Sequence, residues 1–487
     1  MKLELRGHDE RYTVEQSMLN LFPGELPVYG IVTGGEPRRA VVELSETDDQ
    51  ARIEVELSYD GKTARKERAE LLPDTEYERE RIRRRGIGRC FYDAAIEITG
   101  MRPPWGMLSG VRPDKLVTAA LLSGKSEADA QRMLEDVYAV TPTRAALALE
   151  TGKAACRTAL SLGERDIAVY VGVPFCPTRC AYCSFVSHSV EKSFKLVAPY
   201  VEALVSEIRG GGELARRLGL RVRAFYMGGG TPTTLSPAQL DAVLTAFDTA
   251  FDTSYCAEKT VEAGRPDTIT AEKMSVLRAH GADRVSVNPQ SMEENVLRAI
   301  GRRHTAADVE KAIKLASDFP HVNMDVIAGL PADTPAGFER TLRRCIAFAP
   351  DNLTVHTLAL KKGSRVMTQG LAIPDAASVE AMLDFAAPTL RGSGYAPYYL
   401  YRQKYMSGSF ENVGWSEAGA ECLYNIVMMS ELCTVLSFGA GGTTKLVNRK
   451  ANQIKRLFHP KYTEEYVSRP EGREADFKAV AEFYGGI

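Results

Sequence analysis

From residue 166 the 487-residue chain alternates short apolar runs with longer amphipathic stretches. The apolar runs are "IAVYVGV" from 167, "VRAFYMG" from 222, "KTVEAG" from 259, "DRVSVN" from 283, "VNMDVIAG" from 322 and "LTVHTLAL" from 353. Each is too short for a helix and reads as a buried strand. Between them, "APYVEALVSEIRGGGELARRL", "SPAQLDAVLTAFDTA", "TAEKMSVLRAHG", "TAADVEKAIKLASD" and "TPAGFERTLRRCIAF" carry helical spacing. Six such alternations over about 200 residues predict a parallel α/β sheet, open or barrel-like. Upstream, "AVVELSETDDQARIEVELSYDG" exchanges apolar and polar positions with period two, which predicts antiparallel strands turning at Asp60-Gly61. Residues 76 to about 160 carry helical spacing. After about residue 370 the pattern loosens into a tyrosine-rich stretch, "YAPYYLYRQKYMSGSFENVGWS", and a glycine turn in "LSFGAGGTTKLV". The pattern thus predicts a β-rich region over 1–75, a helical region over 76–160, an α/β domain over 161–370 and a C-terminal domain over 371–487.

Composition narrows the class without naming a partner. With 44% hydrophobic and 25% charged residues the chain is an ordinary globular protein. No run is long and apolar enough to span a membrane, and the N-terminus "MKLELRGHDERY" has no leader pattern, so a cytoplasmic location is expected. A net charge of −2 without an appended basic domain argues against nucleic acid as a partner. The local exception is "ERERIRRRGIGR" over 78–89, which reads as a solvated helix face or a site for a polyanion.

Candidate chemistry sits where the strands end, the place where parallel barrels carry their active residues. The first strand is followed by "VPFCPTRCAYCSF", with Cys176, Cys180 and Cys183 in C-x3-C-x2-C spacing. In a reducing compartment such thiols point to a metal rather than to disulfides. Structural zinc needs four closed ligands and the second pair is missing, whereas three thiolates hold an iron–sulfur cluster with one iron left open. The second strand runs into "YMGGGTPTTLS", whose Gly228, Gly229 and Gly230 let the backbone approach a ligand or make a tight turn. Glu262, Gln290, Asp325 and His356 mark the third to sixth strands.

The cysteine loop and the G-G-G-T-P run about 45 residues later together resemble the radical S-adenosylmethionine (radical SAM) superfamily over residues 165 to 365. That resemblance implies a partial (β/α)6 barrel with an N-terminal α+β extension and a C-terminal domain. It implies a [4Fe-4S] cluster on Cys176, Cys180 and Cys183, with SAM chelating the fourth iron, its methionine part seated on Gly228, Gly229, Gly230 and Thr231. The stretches "VYVGVPFCPTRCAYCSF", "VEAGRPDTIT", "DRVSVNPQSMEENVLRAIGRRHT" and "NMDVIAGLPADT" are similar to the oxygen-independent coproporphyrinogen III dehydrogenase family. The N-terminal extension and "PYYLYRQKYMSGSFENVGW" resemble its HemZ-like branch. On that resemblance Tyr170 lies near cluster and substrate, Glu262 bonds the SAM ribose, and Gln290, Arg302, Asp325 and Ile327 line the SAM pocket. One or two SAM molecules, a tetrapyrrole substrate and an electron donor such as flavodoxin or ferredoxin are implied.

Two positions depart from the better-known relatives. Phe185 stands where decarboxylating members carry a further cysteine, and Tyr424 stands where the heme-chaperone branch carries a histidine. The expected activity is oxidative decarboxylation of coproporphyrinogen III, with a heme-binding chaperone or action on another tetrapyrrole as rivals. Arg402 and Lys404 suit substrate propionates. The remaining cysteines, His356 and the tyrosines 398, 399, 401 and 405 read as core or surface packing.

Overall fold

A computed structural model of the protein describes residues 1–183, 188–361, 363–403, 410–468 and 471–485. Phe185, Lys404 and Tyr405 lie outside them. The chain divides into two compact units, residues 1–113 with 123–149, and residues 114–122 with 150–487. No helix among the described residues is long and apolar enough to cross a membrane.

The first unit is built on β1 (Lys2–Arg6), β2 (Val28–Tyr29), β3 (Arg38–Glu46), β4 (Gln50–Tyr59) and β5 (Lys62–Leu71), in the order β2-β1-β3-β4-β5. Strands β3 to β5 are antiparallel. Their period-two pattern buries Ala40, Val42 and Leu44, then Ala51, Ile53, Val55 and Leu57, on one face. The β4–β5 turn places Asp60 and Gly61 at φ 48° and 86°, the left-handed pair that a two-residue hairpin favours. Helices Arg11–Leu21 and Glu76–Thr99 cover the apolar face, adding Val14, Met18, Ile87 and Phe91 to its core. Gly86 permits the close approach, since a Cβ there would stand 2.3 Å from Ile53 Cδ1. Much of the arginine run on this second helix is paired: Arg83 with Glu46 at 3.1 Å, Arg84 with Glu10 at 2.8 Å and Arg85 with Glu70 at 3.7 Å.

The second unit contains β6 (Asp166–Val173), β7 (Phe175–Cys176), β8 (His188–Ser189), β9 (Arg221–Gly229), β10 (Glu258–Val261), β11 (Arg284–Ser286), β12 (His321–Ala328) and β13 (Asn352–Thr357). It continues with β14 (Ala396–Arg402), β15 (Glu411–Ser416), β16 (Thr434–Phe438), β17 (Thr443–Asn448) and β18 (Gln453–Phe458). Strands β6, β9, β10, β11, β12 and β13 lie side by side in chain order and run parallel. These are the six predicted strands, and helices join them. Ser236 and Thr305 open two of those helices with reciprocal capping boxes. The row does not close. Strand β15 joins β13 antiparallel at one edge and β16 joins β6 in parallel at the other, giving an open sheet of eleven strands. The residues beyond 370 therefore extend both edges of this sheet.

The concave side of the six strands is polar at its floor. Glu258, Arg284 and Asn352 each begin a strand, and all are buried. Arg284 donates to the carbonyl of Ala420 at 2.9 Å and lies 3.5 Å from Glu258, while Asn352 donates to the same carbonyl at 2.8 Å. Glu258 also accepts the amides of Leu423 and Tyr424 at 2.9 and 3.3 Å, capping the helix Leu423–Ser430. Segment 420–424 is thereby held across the N-terminal ends of the strands.

Removing one partner of a buried charge pair leaves the other uncompensated, at a cost of about 3–5 kcal/mol. Glu258→Ala is expected to destabilise the protein by about that amount in urea unfolding. Glu310→Ala, which breaks the half-exposed 2.6 Å pair with Arg344, should cost no more than about 1 kcal/mol. Equal effects would show that the floor contributes nothing special.

Candidate active site

The cysteine loop leaves the C-terminal end of β6. Its first residues form β7, which pairs in parallel with β8 in the register Phe175↔His188 and Cys176↔Ser189. The middle of the loop is pinned from two sides: the Ala181 amide donates to Ile300 O at 2.8 Å, and the Val366 amide to Ala181 O at 3.1 Å. Thr231 Oγ1 lies 3.5 Å from Cys176 Sγ, and Arg265 Nη1 lies 3.6 Å from Cys180 Sγ. Arg265 is buried, and its Nη2 donates to Thr178 Oγ1 at 3.1 Å.

Charge distinguishes this loop from the other thiols. Burial works against a thiolate at Cys180, but the guanidinium groups of Arg302 and Arg265 and the Tyr182 hydroxyl overcome it and hold the thiol below its ordinary value. Burial pushes Cys90, Cys345 and Cys433 up to about 12 and Cys256 up to about 11. A thiolate is the form that binds metal, so the electrostatics favour Cys180 of the predicted loop as a ligand. Among the described residues, no three His, Cys, Asp or Glu side chains converge on a point where one ion would sit. A cubane gives each thiolate an iron of its own, so its ligands need not share a point.

The glycine run ends β9 directly beside the loop. The Gly230 amide donates to Val173 O at 2.8 Å and the Thr231 amide to Phe175 O at 2.7 Å. A Cβ on Gly230 would stand 2.6 Å from Phe175 O, and one on Gly229, at φ 106°, would stand 3.1 Å from Val173 N. These glycines are needed first to bring the cysteine loop against β9. With the Gly230 and Thr231 amides engaged, the end of the run offers a ligand carbonyl oxygens rather than N–H groups, which suits an amino group better than an anion.

Above the floor the inward side chains form two groups. Tyr170 and Tyr226 are register partners on β6 and β9. Their rings stack with Tyr424, with centroids 6.3 Å apart for Tyr170–Tyr226, 6.1 Å for Tyr170–Tyr424 and 4.3 Å for Tyr226–Tyr424. The Tyr226 hydroxyl donates to Glu262 Oε1. Burial raises the Glu262 carboxyl to about 7; Tyr226 and His356 pull it down, and Asp325 pushes it further up. The second group joins Asp325 on β12 to His356 on β13, 3.7 Å apart, and His356 Nδ1 lies 3.4 Å from the Tyr401 hydroxyl. Burial disfavours an Asp325 carboxylate, yet the His356 ring and the amide of Asn323 hold its carboxyl below the ordinary value.

The remaining predicted residues ring this space. Gln290, at φ 66°, is clamped to β12: its amide donates to Asp325 O and its carbonyl accepts from Ile327 N, both at 3.0 Å. Its Oε1 is buried without a partner, as are Oδ1 of Asn288 and Oδ1 of Asn323. Arg302 donates to Asn288 O at 2.6 Å and to the Tyr182 hydroxyl at 3.1 Å, linking this edge to Cys180. Ile327 belongs to an apolar cluster with Leu330, Leu358 and Tyr182. Arg402 is buried opposite Glu411 in register, so a propionate would compete with a carboxylate already there. Sequence reading passed over Arg265 and Tyr226. Both lie inside quoted motifs, "VEAGRPD" and "YMGGG", three and two residues from the selected Glu262 and Gly228.

An ionisable thiol loop at the C-terminal ends of six parallel strands, faced by a glycine run, defines the class as radical SAM, and the radical SAM superfamily profile matches residues 170–345. The oxygen-independent coproporphyrinogen-III oxidase-like protein HemZ of Bacillus subtilis (strain 168) is 34% identical over 486 residues, covering 97% of this chain and 96% of HemZ. The heme chaperone HemW of Escherichia coli (strain K12) is 26% identical over 262 residues, covering 53% of this chain and 65% of HemW. The solved structure of coproporphyrinogen III oxidase HemN from Escherichia coli shares the fold, with a TM-score of 0.51 at 20% identity over 66% of this chain and 72% of that one. The chain belongs to the HemZ-like coproporphyrinogen oxidase family within the radical SAM superfamily. Membership implies a [4Fe-4S] cluster and SAM as cofactors. The residues fit both: Cys180 is held toward its thiolate, and orphaned buried acceptors at Gln290, Asn288 and Asn323 await donors.

Glu262 gives this site a measurable signature. Its folded value of about 7 exceeds the ordinary 4.5, so the folded state binds the proton more tightly. The associated stability is present below about pH 4.5 and is lost as pH rises to about 7. At about 1.4 kcal/mol per pH unit the interval amounts to about 3 kcal/mol. Glu262→Gln abolishes the titration, so the variant should gain about 3 kcal/mol on the wild type between pH 4.5 and 8 in urea unfolding. Parallel stability curves would contradict a buried, proton-holding Glu262.

Proposed function

We propose that this protein is a cytoplasmic radical SAM oxidoreductase acting on a tetrapyrrole, converting two propionates of coproporphyrinogen III to vinyl groups. The observation that carries the radical chemistry is the Cys180 thiol, kept ionisable by two buried arginines where β9 presses against the cysteine loop. Likeness to HemZ over nearly the whole chain supports the tetrapyrrole.

With a cluster and one or two SAM molecules bound, the site gains a source of 5′-deoxyadenosyl radical for hydrogen-atom removal. The chain's own residues have defined tasks. Cys176, Cys180 and Cys183 would hold the cluster, and carbonyls of the Gly228 to Gly230 run would accept hydrogen bonds from the SAM amino group. Glu262 and Gln290 accept from its ribose, while Arg302, Asp325 and Ile327 complete the pocket wall. Tyr170, its hydroxyl beside Gly229, stands between this pocket and the substrate space. The stacked tyrosines exclude water from that space. A flavodoxin- or ferredoxin-type donor supplies the electron that reduces the cluster, and the electron left on the substrate radical as each CO2 departs passes to a separate one-electron acceptor. Tyr424 argues against the chaperone reading, because it is buried in the stack rather than presented as a heme ligand.

The test is anaerobic reconstitution with iron and sulfide, followed by mass analysis of products from SAM, dithionite and coproporphyrinogen III. The expected product has lost both carboxyl groups as CO2 with one hydrogen beside each. Replacing the three loop cysteines with Ala should abolish cluster absorption and product together. SAM cleavage without vinyl product under any electron acceptor would remove coproporphyrinogen III as substrate. Tight heme binding without SAM cleavage would instead establish the chaperone.

A further inference from the structure

The N-terminal unit carries a cleft that the radical site does not use. Helix Glu76–Thr99 and residues 135–142 line a space of about 710 Å³, a size suited to a small organic ligand. Tyr92 faces into it. This tyrosine is 5% exposed, and among the described residues its hydroxyl has no hydrogen-bond partner. The ring is buried while the hydroxyl is open to the cleft, within reach of a ligand there.

Two cations accompany it. Arg102 lines the cleft and, among the described residues, has no hydrogen bond or ion pair. Arg89, the last residue of the arginine run, gives Nε to Asp93 at 3.0 Å and Nη1 to Asp136 O at 2.9 Å, leaving Nη2 uncommitted. All three side chains line the same cleft, and the fields of Arg102 and Arg89 oppose the rise that burial gives the Tyr92 phenol. Two of the four lining carboxylates are ion-paired, Asp93 with Arg89 and Glu97 with Lys66, while Glu135 accepts only from the neutral Gln131 amide at 2.8 Å. Asp136 is exposed to water, where its field is screened. Ile96, Val140 and Pro142 supply an apolar wall.

We propose that this cleft binds a small organic anion, a carboxylate or phosphate monoester on an apolar body, with Tyr92 and Arg102 holding the head group. A phenol and a guanidinium converging on one oxyanion form charge-assisted hydrogen bonds, and the apolar wall takes the body.

The test is calorimetric titration of the full-length protein with phenyl phosphate, benzoate and uncharged benzyl alcohol. At least one anion should bind and the alcohol should not. Tyr92→Phe, which keeps the ring in place, and Arg102→Ala, at an exposed position, should each weaken binding about tenfold. Melting temperature and SAM cleavage should not change. Preference for phenyl phosphate would identify a phosphate ligand, and preference for benzoate a carboxylate. No binding of either anion up to about 10 mM, or equal affinity in wild type and both variants, would overturn the proposal.

Discussion

The backbone contact between the glycine run and the cysteine loop is the constraint on which the site depends. Two hydrogen bonds, from the amides of Gly230 and Thr231 to the carbonyls of Val173 and Phe175, join two strand ends that a single Cβ would push apart. That closeness brings the Thr231 hydroxyl to Cys176. It also leaves the Tyr170 hydroxyl next to Gly229 and sets Glu262 beside Gly228. The metal loop, the carbonyl cradle and the first substrate-facing tyrosine share one geometric cause.

Buried charge is distributed around that contact by height along the strands. At the floor, Glu258 and Arg284 neutralise each other and hold segment 420–424. At the upper end, Arg265 and Arg302 have Cys180 within their field, and Arg302 is tied to Tyr182 and Asn288. Between these levels, Glu262 is held toward its protonated form while Asp325 is held ionised by His356. Two carboxyl groups on one row of parallel strands are thus shifted in opposite directions by their surroundings.

The six parallel strands, their order and the positions of chemistry at their ends were legible because buried strands write continuous apolar runs and capped helices write their own starts. The Asp60-Gly61 turn was equally plain. Fusion of the region beyond 370 with both sheet edges was not legible, since β15 pairs with β13 across the register Asn352↔Ser416 and β16 with β6 across Thr434↔Ile167, contacts that no local pattern announces. The floor pair of Glu258 and Arg284 carries no mark in the sequence, because nothing local distinguishes a buried charged residue from a surface one. Tyr424 was noticed only for the residue it replaces; its ring stacking needs three separate segments to meet. For the glycine run at the end of the second strand, sequence offered a ligand or a tight turn as the reason. The structure adds the approach of the cysteine loop.

The central claim is that this loop holds a cluster with one open iron at which SAM binds, over the carbonyls of Gly228 to Gly230. Pulsed electron–nuclear double resonance on the reduced, reconstituted protein with SAM labelled at its amino nitrogen tests it most directly. The account predicts a nitrogen coupling to the cluster that vanishes when SAM is omitted. A cluster signal identical with and without labelled SAM would contradict it.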